Sequence, residues 1–250
     1  MFFELVGGFI RRELRVRYAG SLLGQVWLVL YPLMFTLVTA TIFSLAFKDL
    51  INEAPYFLYV LIGTMVWVYF SQGLMMATRS LVSNREIVAN AKFEWSSIVV
   101  GGVMVKCFDF LINLVLFCLI FLLWGQKISP VWLGLLVLIV IQSAILIGLG
   151  LISATLNVYF RDTQSLIEIC LQILYFLTPV VYPISIVPER YRWLVYLNPV
   201  TGLMDLYRNI IFGYPVNLTE VGFLILAGIV ILLAGVVVYR KYRYEFSELI

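Results

Sequence analysis

The sequence predicts an all-α membrane protein, and two observations carry that prediction. Of its 250 residues, 63% are hydrophobic and 12% are charged, whereas soluble domains carry about 25% charged residues. Several stretches without a charge also reach the roughly 20 residues that a helix needs to cross a bilayer core. We therefore expect a single membrane domain over residues 1–250, with six transmembrane helices, an N-terminal amphipathic interface helix, a short cytoplasmic helix and external re-entrant half-helices between spans five and six.

Six segments with few or no charges are predicted to span the membrane. They cover residues 18–47, 54–78, 98–124, 128–160, 164–177 and 221–239. Pro32 should kink the first span, because proline removes a helical hydrogen bond. Pro130 should lie at the start of the fourth, since proline is favoured in the first turn of a helix. Residues 79–95 are left as a polar connector.

Residues 178–215 break this pattern. They contain five prolines and five charged residues, so no simple span fits there. A helix over residues 200–212 would have 13 residues, the length of a re-entrant or interfacial helix. Asp205 and Arg208 lie three residues apart within it, so we expect their side chains to pair on one face.

The distribution of positive charge predicts the orientation of the chain. With six spans, both termini lie on the same side of the membrane. That side would carry eleven Lys and Arg residues and the other side five, with Lys106 inside a span. The larger number belongs on the cytoplasmic side, so we expect both termini in the cytoplasm. The small excess of 17 basic over 14 acidic residues argues against a nucleic-acid partner.

Residues 1–18 have the pattern of an amphipathic surface helix. Apolar residues recur at helical spacing, namely Phe2, Leu5, Val6, Phe9, Ile10 and Leu14, while Arg11, Arg12 and Arg15 fall toward another face. Such a helix is either a membrane anchor or a binding element for a partner.

The connector contains a second helix signal. Ser83-Asn84-Arg85-Glu86 matches a capping box, which predicts a short helix from Asn84 to about Ala91 within residues 83–92. This helix is either a docking element for a soluble partner or an ordinary interfacial linker.

Aromatic residues recur on one face of the first span. Trp27, Tyr31 and Phe35 are spaced by four. Four further aromatic residues lie near the fifth span, namely Tyr159, Tyr175, Phe176 and Tyr182. Aromatic faces can stack on sugar rings while Tyr and Trp donate hydrogen bonds. The alternative is helix packing or an interfacial belt.

Ionisable residues inside the predicted spans are few. Lys106 and Asp109 lie three apart and are expected to neutralise each other, and Glu168 is close enough to a span end to reach the interface. So few ionisable residues argue against a proton-driven transporter. The sequence also lacks the inverted repeat that a secondary transporter would be expected to show. Histidine is absent, so an enzyme acting on lipid-linked sugars would have only Asp109 and Glu168 as membrane candidates.

Four sequence blocks in collinear order resemble one family. They are Arg17-Tyr18-Ala19-Gly20-Ser21-Leu22-Leu23-Gly24 with Trp27 and Pro32, then residues 156–162, residues 178–183, and Leu197-Asn198-Pro199 with Tyr207-Arg208. Together they resemble the type-2 ABC transporter permeases that export polysaccharides and polyol phosphates.

This resemblance implies a homodimer of six-span subunits around one conduit, with two separate ATPase subunits that bind ATP and Mg²⁺. This chain itself would carry no cofactor, and no Gly-x-x-x-x-Gly-Lys-Ser/Thr phosphate loop occurs in it. The amphipathic helix and the helix after Ser83, as a coupling helix, would contact the ATPases. The expected contact residues are Arg11, Arg12, Asn84, Arg85, Glu86, Asn90 and Lys92.

The resemblance further implies a lipid-linked polysaccharide as substrate, crossing the bacterial cytoplasmic membrane. O antigen, capsule and teichoic acid all remain open, as does export of a lipid or drug by the same architecture. The seven aromatic residues named above would line the conduit. Asp205 and Arg208 would lie in the external re-entrant region near its exit.

Overall fold

The computed structural model describes residues 2–17, 24, 26–47, 55–90 and 94–246. All regular structure among them is helical, as the sequence predicts. Ten α-helices follow in chain order: α1 Phe2–Arg17, α2 Val26–Phe47, α3 Tyr56–Ser83, α4 Arg85–Asn90, α5 Ser96–Leu123, α6 Gly134–Tyr159, α7 Thr163–Leu177, α8 Glu189–Tyr196, α9 Pro199–Phe212 and α10 Leu218–Tyr242. Short 3₁₀ turns lie at Pro130–Leu133, Ile184–Ile186 and Arg243–Glu245.

Five of these helices are long and apolar enough to cross a membrane, namely α2, α3, α5, α6 with its preceding 3₁₀ turn, and α10. The fifth predicted span, α7, has only 15 residues, or about 22 Å at 1.5 Å per residue. It stops short of a bilayer core of about 30 Å. Pro179 explains the stop, because a residue before proline is driven out of the helical region, and Thr178 is extended with ψ 136°.

The chain nevertheless passes from one end of the bundle to the other between α6 and α8. At the end that carries α4, which we call the α4 end, the Tyr239 hydroxyl near the end of α10 accepts a hydrogen bond from Ser96 N at the start of α5, at 3.0 Å. At the opposite end, the Tyr56 hydroxyl at the start of α3 donates to Val181 O at 2.7 Å. Helix α7 and the extended segment after it therefore make the fifth traverse together, and α10 makes the sixth.

Both terminal segments lie at the α4 end. Arg12 in α1 donates to Asn84 Oδ1 at 3.0 Å, and the ring of Phe246 stacks on Trp95 with centroids 6.1 Å apart. Both segments lie at the same end because the chain crosses the bundle an even number of times and so returns to the end where it began.

Helix α3 forms the centre of the core and packs against α2, α5, α6, α7 and α9. It has 28 residues, about 42 Å, so it projects beyond the bilayer core. The second span was predicted to end at Thr78, but α3 continues to Ser83. Ser83 is therefore the last residue of α3 rather than a cap, and α4 begins at Arg85, one residue later than expected.

Two other boundaries bear on the predictions. The described part of the first span begins at Val26 and contains Pro32, and the signature at residues 18–23 lies outside the described residues. The fourth span begins as expected: Pro130 opens the 3₁₀ turn, and Ser129 Oγ accepts a hydrogen bond from Val131 N.

Candidate functional site

A cavity of about 730 Å³ lies between α2, α3, α5 and α7. Its wall combines aromatic rings with amides and charged side chains, an unusual mixture for a membrane domain. Five aromatic residues line it: Tyr31, Phe35, Trp67, Tyr175 and Phe176. The polar lining includes Gln72, Gln164, Gln172, Arg79, Lys106 and Glu168.

The aromatic residues form a continuous wall across three helices. Tyr31 and Phe35 on α2 stack with centroids 6.1 Å apart. Phe35 meets Tyr175 of α7 edge-on at 5.8 Å, and Tyr175 in turn meets Trp67 of α3 at 5.7 Å. Tyr175 also contacts Phe176 at 5.3 Å. The structure thus brings together four of the predicted aromatic residues.

Trp67 was missed by the sequence reasoning. The available signal was its spacing, because Trp67, Ser71 and Met75 recur every four residues and so share one face of α3. All three line the cavity.

A smaller cavity of about 260 Å³ adjoins the first and lies between α2, α3 and α5. Lys106 Nζ lies 3.2 Å from Asp109 Oδ2, so the predicted ion pair forms. Lys106 Nζ also donates to Gln72 Oε1 at 2.7 Å, and Asn113 Nδ2 donates to Asp109 O at 2.9 Å. Trp27 and Tyr31 line the same cavity. Gln72 and Asn113 were not predicted, since neither is ionisable.

Two of the predicted aromatic residues lie elsewhere. Tyr159 is the last residue of α6, and its hydroxyl donates to Glu245 while its ring contacts Tyr242 at 5.7 Å. It is absent from the lining of both cavities described above, because its position turns it toward the C-terminal segment. Tyr182 lies beyond the end of α7. Its ring centroid is 6.4 Å from that of Phe47, and its hydroxyl donates to Phe176 O at 3.0 Å.

The predicted coupling residues gather at the α4 end. Asn84 is the corner between α3 and α4, and its Nδ2 donates to Ser80 O at 2.8 Å while its Oδ1 accepts from Arg12. Arg11, Arg85 and Glu86 are exposed. Helix α1 is held close to α5, since a Cβ on Gly101 would lie 2.6 Å from the Phe9 ring. Asn90 ends α4, and Lys92 lies outside the described residues.

At the opposite end, Arg208 of α9 is buried with 2% of its surface exposed. Its guanidinium donates to Pro179 O and Val180 O, each at 2.7 Å. The predicted pairing with Asp205 is wrong, because these carbonyls take up the guanidinium. Asp205 instead accepts a hydrogen bond from Tyr196 at 2.9 Å. Burial raises the pKa of the Asp205 carboxyl, and the charge of Arg208 opposes that rise.

Asn198 joins the same region from the start of α9. Its Oδ1 accepts from Val200 N at 3.0 Å as an N-cap, and its Nδ2 donates to Thr178 Oγ1 at 2.8 Å. The end of α7 is therefore fixed to α9 by side chains from Asn198 and Arg208.

Several curated proteins are similar to the chain over nearly its whole length. The O-antigen export system permease protein RfbA of Klebsiella pneumoniae is 25% identical over 249 residues, which are 99% of this chain and 95% of that protein. RfbA of Myxococcus xanthus is 29% identical over 249 residues, 98% and 94% of the two chains. The polysialic acid transport protein KpsM of Escherichia coli is 22% identical over 233 residues, 92% and 90%.

The family model described as ABC-2 type transporter matches residues 4–212. This range begins in α1 and ends with α9, so it includes both cavities, the α4 corner and the Arg208 contacts. The match covers well over half of the sequence, and the chain therefore belongs to the ABC-2 type transporter family.

Proposed function

We propose that this chain is the membrane subunit of an ATP-driven exporter that moves a lipid-linked polysaccharide across the bacterial cytoplasmic membrane. The single observation that carries the proposal is the cavity between α2, α3, α5 and α7, with its aromatic wall and polar lining. The curated relatives named for O-antigen and polysialic acid transport support the same substrate class.

The chemistry of the cavity suits a glycan. Aromatic faces pack against the apolar faces of sugar rings, and here Tyr31, Phe35, Trp67 and Tyr175 are in contact with one another as a wall. Polar groups facing hydrocarbon would be costly, so such groups inside a membrane mark a hydrophilic path. The amides in the cavity offer hydroxyl groups both donors and acceptors.

A second copy of the chain would complete the path. The cavity is open on one side, and the neighbouring faces of α2 and α7 expose large apolar side chains. These include Met34 at 54%, Val38 at 57%, Leu166 at 62% and Phe176 at 71%. A homodimer that joins these faces would enclose one conduit between two aromatic walls, consistent with the cyclic symmetry common to homo-oligomers.

The energy source lies on other subunits. The sequence has no phosphate loop, so ATP and Mg²⁺ bind to two partner ATPases in this proposal. These dock at the α4 end, where Arg11, Arg85 and Glu86 are exposed. In this proposal this end, with both termini, lies in the cytoplasm, which the excess of Lys and Arg predicted for that side supports.

The test is complementation in cells that lack the permease of a polysaccharide export operon but retain its ATPase. The wild-type chain should restore surface glycan, and it should co-purify with the ATPase at two copies of each subunit. Replacing Arg85 and Glu86 with alanine should abolish coupled ATP hydrolysis.

The matched control replaces Glu189 and Arg190 with alanine. These are also an adjacent exposed acid and base, but they lie in α8 at the opposite end and should leave hydrolysis unchanged. Restoration of lipid or drug export without surface glycan would contradict the substrate class, and transport by the chain alone would contradict the ATPase requirement.

A further inference from the structure

The smaller cavity shares Gln72, Lys106 and Tyr31 with the larger cavity and adds Asp109, Asn113 and Trp27. We call its polar and aromatic lining the polar pocket. It consists of Gln72, Lys106, Asp109, Asn113, Trp27 and Tyr31. Lys106 is ten residues from the start of α5, about 15 Å along the helix, so the pocket lies at the depth of the bilayer core.

Mutual neutralisation of Lys106 and Asp109 does not explain the pocket. A buried ion pair contributes little stability compared with apolar residues of the same size, because both charges must be desolvated. An ion pair that served only to cancel charge would also need no cavity beside it. Here about 260 Å³ of space adjoins the pair.

Asn113 adds a further polar group to the pocket. Asn113 is buried, with 6% of its surface exposed, and its Oδ1 has no hydrogen-bond partner in the part of the chain that the structure describes. Asn113 lines the cavity one helical turn beyond Asp109 on α5, so its amide extends the polar lining that a ligand would meet.

We propose that the polar pocket binds one sugar unit of the polysaccharide during transport. This inference rests on the proposed function, and it assigns a defined ligand subsite beside the aromatic wall. Sugar hydroxyls both donate and accept, and the pocket offers a cationic donor on Lys106, a carboxylate acceptor on Asp109 and two amides. Trp27 and Tyr31 provide the aromatic side, on which a ring face can stack.

The size of the pocket fits a single unit. Its volume of about 260 Å³ would hold about nine water molecules at about 30 Å³ each. That space is enough for one sugar ring. The larger cavity, at about 730 Å³, is the place for neighbouring units.

Photo-crosslinking in the complete transporter tests this assignment. In cells that carry the ATPase and the glycan operon, p-benzoylphenylalanine replaces Trp27 in the polar pocket or Phe176 in the larger cavity. Both are exposed aromatic residues, at 57% and 71%, so an aromatic probe fits either position. Each probe should yield a glycan adduct that is detected by mass spectrometry.

The probes are then repeated in a variant with Asp109→Asn and Asn113→Leu, the two polar residues that line the smaller cavity and not the larger one. The adduct at position 27 should fall by about tenfold, because hydrogen bonds to charged groups are lost, while the adduct at position 176 should stay within about twofold. Co-purification with the ATPase reports assembly. If the double variant does not assemble, Asn113→Leu alone is used, since it keeps the ion pair.

The outcomes separate the two proposals. Absence of glycan adducts at both positions in the wild type would overturn the proposed function itself. Glycan adducts at both positions that persist in the pocket variant would overturn only the polar pocket as a sugar subsite. A phospholipid adduct alone at position 27 would do the same, because it would identify the pocket as a lipid site.

Discussion

The guanidinium of Arg208 lies over the ring of Tyr59, with its carbon 3.6 Å from the ring centroid. The two residues are 149 positions apart, and Arg208 Nη2 also lies 3.4 Å from Tyr59 O. Together with the bonds to Pro179 and Val180, this contact joins α9, the start of α3 and the segment after α7. One side chain thus holds the re-entrant region against the bundle.

Replacing Arg208 with methionine should destabilise the protein strongly. The substitution keeps most of the apolar stem but leaves the carbonyls of Pro179 and Val180 without their donors, at about 1–3 kcal/mol each. The melting temperature should fall by about 5–10 °C, as measured by thermal unfolding in detergent. Arg208→Lys should rescue only part of the loss, because an ammonium lacks the guanidinium fork.

The control for Arg208 is Arg190→Ala, which removes an exposed arginine of α8. It should shift the melting temperature by less than about 2 °C, since surface substitutions cost about 0.5 kcal/mol or less. Equal shifts for both variants would refute a structural role for the Arg208 contacts.

Gly235→Val should disrupt the packing of α10 on α6. A Cβ at position 235 would lie 2.3 Å from Gly148 O, a backbone atom that cannot move aside. Small residues permit such close helix contacts in membranes, and overpacking costs about 1–3 kcal/mol or more. Gly222→Val is a matched control in the same helix, because nothing lies within 4 Å of its Cβ. Melting temperatures should fall for the first variant and not for the second.

The features that the sequence predicted correctly depend on neighbours along the chain. Pro130 at the start of a helix and the pairing of Lys106 with Asp109 are both decided within four residues. Arg208 was assigned to Asp205 by the same local rule, and that failed because its real acceptors are 28, 29 and 149 residues away. Tertiary packing brings Arg208 next to these acceptors, and the spacing of residues along one helix does not predict that packing.

In the candidate site too, local spacing predicted some residues correctly, while contacts between helices could not be predicted. Spacing on α2 gave Tyr31 and Phe35, and residues near α7 gave Tyr175, yet the contact between these helices could not be predicted from either helix alone. Tyr159 was included because it is near α7 in sequence. The structure turns it toward Glu245 instead, and only the three-dimensional arrangement of α6 and the C-terminal segment decides that.

The hydrogen bond between Arg12 and Asn84 should link α1 to the α3–α4 corner. A double-mutant cycle with Arg12→Ala and Asn84→Ala should give a coupling energy of about 0.5–1.5 kcal/mol in unfolding free energy. ATP hydrolysis coupled to transport should also fall in each single variant, because α1 and α4 would no longer move together. Arg15→Ala, an exposed arginine of the same helix, serves as the control. Strict additivity of the two substitutions would contradict the link.

Tyr175 allows the substrate role of the aromatic wall to be separated from its packing role. Its hydroxyl is buried without a hydrogen-bond partner among the described residues, while its ring contacts Phe35, Trp67 and Phe176. Tyr175→Phe should therefore leave the melting temperature unchanged or raise it slightly, since an unpaired buried hydroxyl costs free energy. Surface glycan should also stay within about twofold of the wild-type level, because a hydroxyl that water does not reach makes no hydrogen bond to a glycan in the cavity.

Tyr175→Ala should lower both quantities, because it removes the ring and leaves a cavity that costs about 3–5 kcal/mol. Normal export by Tyr175→Phe together with poor export by Tyr175→Ala would assign the residue to packing and stacking alone. Normal export by both variants, with intact assembly, would remove Tyr175 from the conduit. The comparison of melting temperature with surface glycan decides among these, because a loss of export at an unchanged melting temperature cannot come from lost packing.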